Sequence, residues 1–108
     1  MAQRLGAARQ AFVEVVDYLT AEKDPNAVYA GSVPYLMLAG NLMAGWQLAR
    51  ALLVAQTEMA KGEDIAFMQA KITVARFYAD HLLSKAPGVR DSIVQGAASV
   101  TALAPEAF

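Results

Sequence analysis

Apolar residues recur at the spacing of an α-helix through most of the chain. In the first segment, predicted to be helical over residues 2–23, apolar side chains follow one another at steps of three and four positions. They are Leu5, Ala8, Phe12, Val15 and Leu19. Such steps place side chains on one face of a helix. The helix is expected to end before Asp24-Pro25, because a residue that precedes proline disfavours the helical conformation.

Two later segments show the same periodicity, over residues 65–86 and residues 89–103. Their apolar stripes are Ile65, Met68, Ile72, Ala75, Ala79, Leu82 and Ala86, and Val89, Ile93, Gly96, Val100 and Leu103. The turn before the first of these helices is predicted at residues 61–64, with Asp64 as the N-cap. Pro87-Gly88 predicts the end of that helix. No segment shows the two-residue alternation of a β-strand.

The second apolar segment differs from the others because it has no charged residue from Pro25 to Ala49. Apolar side chains occur on every face of this helix, which is typical of a helix buried on all sides, in protein or in lipid. Its 25 uncharged residues are long enough to span a bilayer. Proline, asparagine and glycine interrupt them, however, so we favour a buried core helix with Leu38, Leu42 and Trp46 inside.

Pro34 allows two interpretations of where this helix begins. It can start near Ser32 with proline in its first turn, or near Asn26 with a kink around Pro34. We favour the kinked helix because residues 27–30 contain no turn signal. The sequence therefore predicts an all-α fold: an antiparallel four-helix bundle that forms a single domain over residues 1–108, with a long, kinked, buried second helix.

Composition excludes several functions without indicating one. The chain has 108 residues, nine Lys+Arg against ten Asp+Glu, and no cysteine. Nucleic-acid modules usually have a basic excess, so we expect no nucleic-acid partner. The lack of cysteine excludes disulfide bonds and sites built on a cysteine nucleophile or cysteine zinc ligands. No secretory signal is visible at the start of the chain, which favours a cytoplasmic protein.

Few side chains are candidates for chemistry. His81 is the single histidine, but Asp80 beside it points about 100° away on a helix, so we favour a structural or solvent-facing role. Arg50 lies one turn past Trp46 and can stack on the indole or pair with an acid, but we favour an arginine that extends out of the core. The carboxylates and glycines form no metal, dinucleotide or phosphate motif. The sequence thus predicts no catalytic, cofactor-binding or metal-ligating residue.

Aromatic and small residues are interpreted as packing groups. The aromatic residues expected in the core are Tyr35, Trp46, Phe77 and Tyr78. A strip formed by Gly40, Ala44 and Gly45 on the second helix, and another over residues 96–98, predict close packing of the second and fourth helices.

The uncharged segment is too long for the fourth helix, of about 15 residues, to cover. An apolar patch should therefore remain exposed, and such patches usually mark an interface. We predict a homodimer that buries residues near the kink, namely Val28, Val33, Tyr35 and Leu36.

Two long runs of the sequence resemble a known family. They are YLMLAGNLMAGWQLAR at residues 35–50 and AKITVARFYADHLL at residues 70–83, and residues 31–34, 86–90 and 96–99 fit the same pattern. Together they are similar to the extra C-terminal helical domain of long bacterial acyl-CoA dehydrogenases. The most similar branch acts on 3-methylmercaptopropionyl-CoA and related thioesters. The resemblance covers residues 5–103.

The resemblance implies a non-catalytic domain excised from the C-terminus of a larger flavoenzyme, which oxidises acyl-CoA to enoyl-CoA with FAD. In that family FAD, the acyl-CoA pocket and the catalytic glutamate belong to preceding domains, so no position of this sequence matches them. The implied partners are the catalytic domains of the parent enzyme, and the implied roles are packing, substrate access or oligomerisation. A free-standing helical dimerisation module is the alternative, and a small membrane-associated protein is a third hypothesis.

Overall fold

The chain folds into helices joined by short turns. The computed structural model describes all 108 residues and contains no strand. The α-helices are α1 (Ala2–Ala21), α2 (Pro25–Ala30), α3 (Ser32–Ala60), α4 (Ile65–His81) and α5 (Ala86–Thr101). Two short 3-10 helices span Leu83–Lys85 and Pro105–Ala107. The prediction of an all-α fold is confirmed, and four of the five α-helices are long.

The second predicted helix is divided at Gly31 into the short α2 and the long α3. A Cβ added at Gly31 would lie 2.9 Å from Cγ2 of Ile93, so only glycine allows α5 to approach this closely. α3 begins at Ser32 with Pro34 in its first turn, where the N–H that proline lacks has no helical partner anyway. The structure thus follows the alternative interpretation, a start near Ser32, and the long helix kinked at Pro34 is wrong.

The end of α4 also differs from the prediction. α4 ends at His81, and Pro87 lies in the first turn of α5 rather than terminating the preceding helix. Asp64 occupies the N-cap position of α4, but its side chain makes no capping hydrogen bond. Its φ of 41° is in the left-handed region, which is unfavourable for a residue other than glycine. Asp64 therefore ends the turn without the capping role expected of it.

The core is small and lies where α1, α3, α5 and the turn after α4 meet. It contains eight buried residues: Ala8, Ala11, Val15, Leu38, Ala79, Leu83, Ala86 and Ile93. The predicted face of α1 is confirmed, because Ala8 and Val15 are buried and Leu5, Phe12 and Leu19 pack against the cluster. The far end of α3 and the beginning of α4 form a two-helix arm, in which Ala55 and Ile72 are buried.

The molecule is extended. It measures 65 × 28 × 16 Å, with a radius of gyration of 18.2 Å. A compact domain of this length has a radius of gyration of about 13 Å. Only 13 of the 108 residues are buried. This shape does not confirm the antiparallel four-helix bundle that the periodicity predicts, because the arm extends away from the remaining helices.

α3 is not buried on all sides, contrary to the prediction. Its buried residues are Leu38, Gly45 and Ala55. Leu42 is half-buried against the core, whereas Trp46 is 46% exposed. The physical reason is that neighbouring helices cover one side of α3 and leave the other open. None of the helices combines the length and the hydropathy needed to cross a membrane.

Candidate docking surface

Two apolar stripes run along α3, displaced from each other by one residue. The inner stripe consists of Tyr35, Leu38, Leu42, Gly45, Ala49 and Leu52, and its first four residues contact the core. The outer stripe consists of Leu36, Ala39, Met43, Trp46, Arg50, Leu53 and Thr57. Both advance by alternating steps of three and four, the spacing at which one helix packs along another. In the outer stripe, four large apolar side chains, Leu36, Met43, Trp46 and Leu53, are exposed.

A groove runs between the first half of α1 and α3, beside the outer stripe. One hollow of about 220 Å³ is lined by Leu5, Arg9, Leu42, Met43 and Trp46. A second hollow of about 250 Å³ is lined by Met1, Ala2, Leu5, Ala49, Leu52 and Leu53. Because Leu5 belongs to both, the hollows form one apolar surface, which we name the α1/α3 groove.

Two arginines without carboxylate partners border this groove. The guanidinium of Arg50 lies 5.4 Å from the ring centroid of Trp46, and its Nη1 donates to Oε1 of Gln47 at 3.3 Å. Arg9 lines the hollow that Trp46 also lines. The ion pairs of the chain, within 4.0 Å, join Arg4 to Asp80, Lys61 to Glu58, and Arg90 to Glu14 and Asp91. Of the roles considered for Arg50, the structure shows stacking on the indole.

The remaining aromatic residues divide between core and surface. Tyr35 and Tyr78 pack against the core, as predicted, whereas Phe77 and Trp46 are exposed and their expected burial is wrong. The hydroxyl of Tyr78 donates to the backbone oxygen of Asn41 at 2.9 Å and joins α4 to α3. Burial raises the pKa of Tyr78.

His81 lies at the exposed end of α4, with its ring stacked on Phe77 at a centroid distance of 4.4 Å. This placement agrees with the solvent-facing role favoured for it. No group of three or more His, Asp or Glu side chains is arranged to hold a metal ion. The largest hollow, of about 430 Å³, contains Glu22 and Asp24, but both carboxylates already accept backbone N–H groups: Glu22 from residues 23 and 24, and Asp24 from residue 26.

An ion pair between α1 and α5 was not predicted from the sequence. Nε of Arg90 lies 2.6 Å from Oε2 of Glu14, and the same guanidinium bonds to Asp91. The hydrogen bond to Asp91 and the negative charge of Glu14 raise the pKa of Arg90. The partners of this pair are far apart in the chain, so no local pattern indicated it.

The two strips of small residues do not pack against each other as predicted. Gly45 contacts Leu83, in the turn after α4, and a Cβ at Gly45 would lie 2.7 Å from a δ carbon of Leu83. Gly40 and Gly96 have no such neighbour within 4 Å of an added Cβ. The close approach to α5 occurs instead at Gly31.

With this geometry in place, comparison with known proteins identifies the family. The model of the family described as acetyl-CoA dehydrogenase C-terminal like matches residues 1–104. This chain belongs to that family. The match confirms the resemblance drawn from residues 35–50 and 70–83.

Two curated relatives contain a segment similar to this chain. The chain is 54% identical over 85 residues to 3-methylmercaptopropionyl-CoA dehydrogenase of Ruegeria pomeroyi, a match that covers 77% of this chain and 14% of the relative. It is 33% identical over 81 residues to the broad-specificity linear acyl-CoA dehydrogenase FadE5 of Mycobacterium tuberculosis, covering 69% of this chain and 13% of the relative. The matched segment is therefore a small part of either relative. No solved structure matches the chain.

Proposed function

We propose that this chain is a non-catalytic C-terminal helical domain of an FAD-dependent acyl-CoA dehydrogenase, whose other domains oxidise acyl-CoA to enoyl-CoA. Both relatives are named as acyl-CoA dehydrogenases, and the match takes up 14% and 13% of their lengths. On this proposal FAD and the thioester bind outside these 108 residues, which contribute no catalytic, cofactor-binding or metal-ligating side chain. A cytoplasmic location fits this role.

The observation that supports a packing role is the excess of exposed surface. The accessible surface is 7161 Å², whereas a compact protein of 11.5 kDa exposes about 5,800 Å². The excess, about 1,400 Å², is larger than the roughly 800 Å² that each partner buries in a standard interface. Since much of this surface is apolar side chains of α3 and α4, the domain is suited to pack on the catalytic domains of the parent enzyme. From there it would shape substrate access or support oligomerisation.

A free-standing dimerisation module is the second candidate. Val33 and Leu36, at the start of α3, are 70% and 68% exposed, and Val28 and Tyr35 beside them are half-buried. These are the side chains expected to meet in a homodimer. The two candidates differ in the partner that covers the apolar surface.

A chimera tests the proposed function. In the Ruegeria pomeroyi enzyme, the segment that matches this chain is replaced by residues 1–108. We expect the chimera to retain its flavin absorption and its dehydrogenase activity, whereas the isolated chain should be colourless and inactive. A matched variant, with Leu36 and Leu53 changed to Gln, alters only exposed side chains. It should leave the isolated chain folded but lower the flavin content and the activity of the chimera.

Two results would contradict the proposal. The first is a relative that loses neither flavin nor activity when its matched segment is deleted. The second combines two findings. The isolated chain sediments as a stable dimer that dissociates when Val33 is changed to Glu, and the chimera has no more flavin or activity than the enzyme without the segment. That pair of results would favour the dimerisation module.

A further inference from the structure

The α1/α3 groove combines an apolar floor with two cations that lack counter-charges. Arg50 is exposed and held over the ring of Trp46, and Arg9 is exposed at the opposite helix of the same hollow. Neither has a carboxylate within 4.0 Å. Stacking restricts the Arg50 guanidinium, and the N–H donors that do not bond to Gln47 remain free for a planar acceptor such as a carboxylate.

Charge argues against a second copy of this chain as the occupant. If two outer stripes packed together, Arg50 would be removed from water against a stripe that contains no acidic residue. Burial of an unpaired charge is strongly unfavourable. The occupant must therefore bring its own carboxylates to this position.

Shape argues for a helix rather than a lipid surface. The two hollows extend along α3 from Leu42 to Leu53, about 18 Å at the rise of an α-helix. A trough between two helices matches an amphipathic helix of about three turns, which inserts apolar side chains at i, i+3 or i+4, and i+7. A bilayer, in contrast, offers a flat surface and favours a convex apolar face with a larger number of basic residues.

We propose that the α1/α3 groove binds an acidic amphipathic helix of the catalytic part of the parent enzyme, with its apolar face on Leu5, Met43 and Leu53 and its carboxylates on Arg9 and Arg50. This inference rests on the proposed function and specifies the surface through which the domain docks. The apolar contact provides most of the binding, and the ion pairs beside Trp46 select an acidic helix and fix its register.

Photo-crosslinking in the chimera tests this assignment. The photoreactive amino acid p-benzoylphenylalanine is placed at Met43, which lines the groove, or at Val74 on α4 as a control with similar exposure. Mass spectrometry of the crosslinked peptides should identify, from Met43 only, a segment of the catalytic part with the apolar spacing of a helix and flanking Asp or Glu. Changing Arg9 or Arg50 to Gln should lower the yield of this crosslink about fivefold for each variant.

Lys71 provides a matched control variant. Its Nζ lies 5.2 Å from the ring centroid of Phe67, so it is also a cation stacked on an aromatic ring, but on α4 and away from the groove. Lys71→Gln should leave the Met43 crosslink unchanged. All variants alter exposed side chains, and unchanged circular dichroism of the isolated chain verifies that they fold.

Several outcomes would overturn the docking assignment. Three concern the crosslink: it forms from Met43 to α3 of a second copy, it reaches the catalytic part but neither arginine change affects it, or it is missing in an active chimera. The fourth is binding of the isolated chain to vesicles of phosphatidylcholine and phosphatidylglycerol that depends on Arg9 and Arg50. Failure of the proposed function is distinguishable, because it is judged from the flavin and activity of the unmodified chimera and of the relative that lacks the matched segment, and not from any crosslink.

Discussion

Two glycines of α3 provide a test of how tightly the core is packed. A Cβ added at Gly45 would lie 2.7 and 2.9 Å from the two δ carbons of Leu83. Gly40 is on the same helix, five residues earlier, and an added Cβ there meets nothing within 4 Å. The substitutions Gly40→Ala and Gly45→Ala therefore add the same methyl group to the same helix, in open space in one case and against a buried side chain in the other.

The two variants should change stability in opposite directions. Alanine is favoured over glycine inside a helix by about 0.5–1 kcal/mol, so Gly40→Ala should raise the free energy of unfolding by that amount. At Gly45 the same gain is opposed by overlap with Leu83, which is 1% exposed. Overpacking of a core by one methyl group typically costs about 1–3 kcal/mol. We expect a net loss of up to about 2 kcal/mol for Gly45→Ala.

Space beside Leu83 is too limited to relieve this overlap. The adjacent void, lined in part by Leu38, Leu42 and Leu83, has a volume of about 10 Å³, room for no more than about one water-sized probe. Leu83 therefore cannot withdraw from Gly45 without displacing other core side chains. This makes the sign of the Gly45→Ala effect a consequence of the packing and not of helix propensity.

Urea unfolding of the isolated chain, followed by circular dichroism at 222 nm, measures both effects. The variant Leu83→Ala serves as a background, because it removes the overlap: in that background Gly45→Ala should become stabilising, as Gly40→Ala is. If Gly45→Ala and Gly40→Ala stabilise the wild-type chain equally, then Leu83 does not hold α3 in close contact, and our account of the core is refuted.

Three further predictions follow from the same packing. Leu38→Ala, in the core, should lower the free energy of unfolding by about 2–5 kcal/mol, whereas Leu53→Ala, which is 65% exposed, should change it by less than about 0.5 kcal/mol in the same urea assay. Tyr78→Phe removes the hydrogen bond to Asn41 and should cost about 0.5–1.5 kcal/mol near neutral pH. Burial raises the folded pKa of Tyr78 above the ordinary 10.0, so the contribution of Tyr78 to the free energy of unfolding is complete below pH 10 and is lost as pH rises through the folded pKa. In alkaline unfolding titrations, wild type should therefore lose stability more steeply than Tyr78→Phe. In hydrogen exchange, amides at the far end of α3 and the start of α4 should exchange faster than those of α1, since few buried residues support the arm, and equal protection would contradict the extended shape.

The sequence determined where most of the helices are and which faces of two of them are buried. Ala8 and Val15 of α1 and the residues Ile72, Ala75 and Ala79 of α4 are buried as their spacing predicts. Helical spacing is a local property, because residues three and four apart lie on one face whatever surrounds the helix. The stacking of Arg50 on Trp46 is one of the roles that the sequence allows for the same reason, since the two are one turn apart.

Helix boundaries at Gly31 and Pro87 required the tertiary structure. Residues 27–30 contain no turn signal, yet the helix is interrupted at Gly31, where Ile93 of α5 lies close to the backbone. Pro87 is compatible with the end of one helix or the first turn of the next, and the position of the 3-10 turn Leu83–Lys85 selects the second possibility. The approach of Ile93 to Gly31 joins residues distant in the chain, and the local pattern does not contain it.

Tertiary structure alone also decided which apolar residues of α3 are covered. The inner and outer stripes have the same spacing, and both are largely apolar, so the sequence indicated a helix buried all round. The structure covers the inner stripe and leaves Leu36, Met43 and Leu53 exposed, and it places Arg9 of α1 beside Trp46. Burial of an apolar side chain is favourable in free energy wherever it occurs. Which neighbour covers that side chain depends on how the helices pack and on how many of them there are.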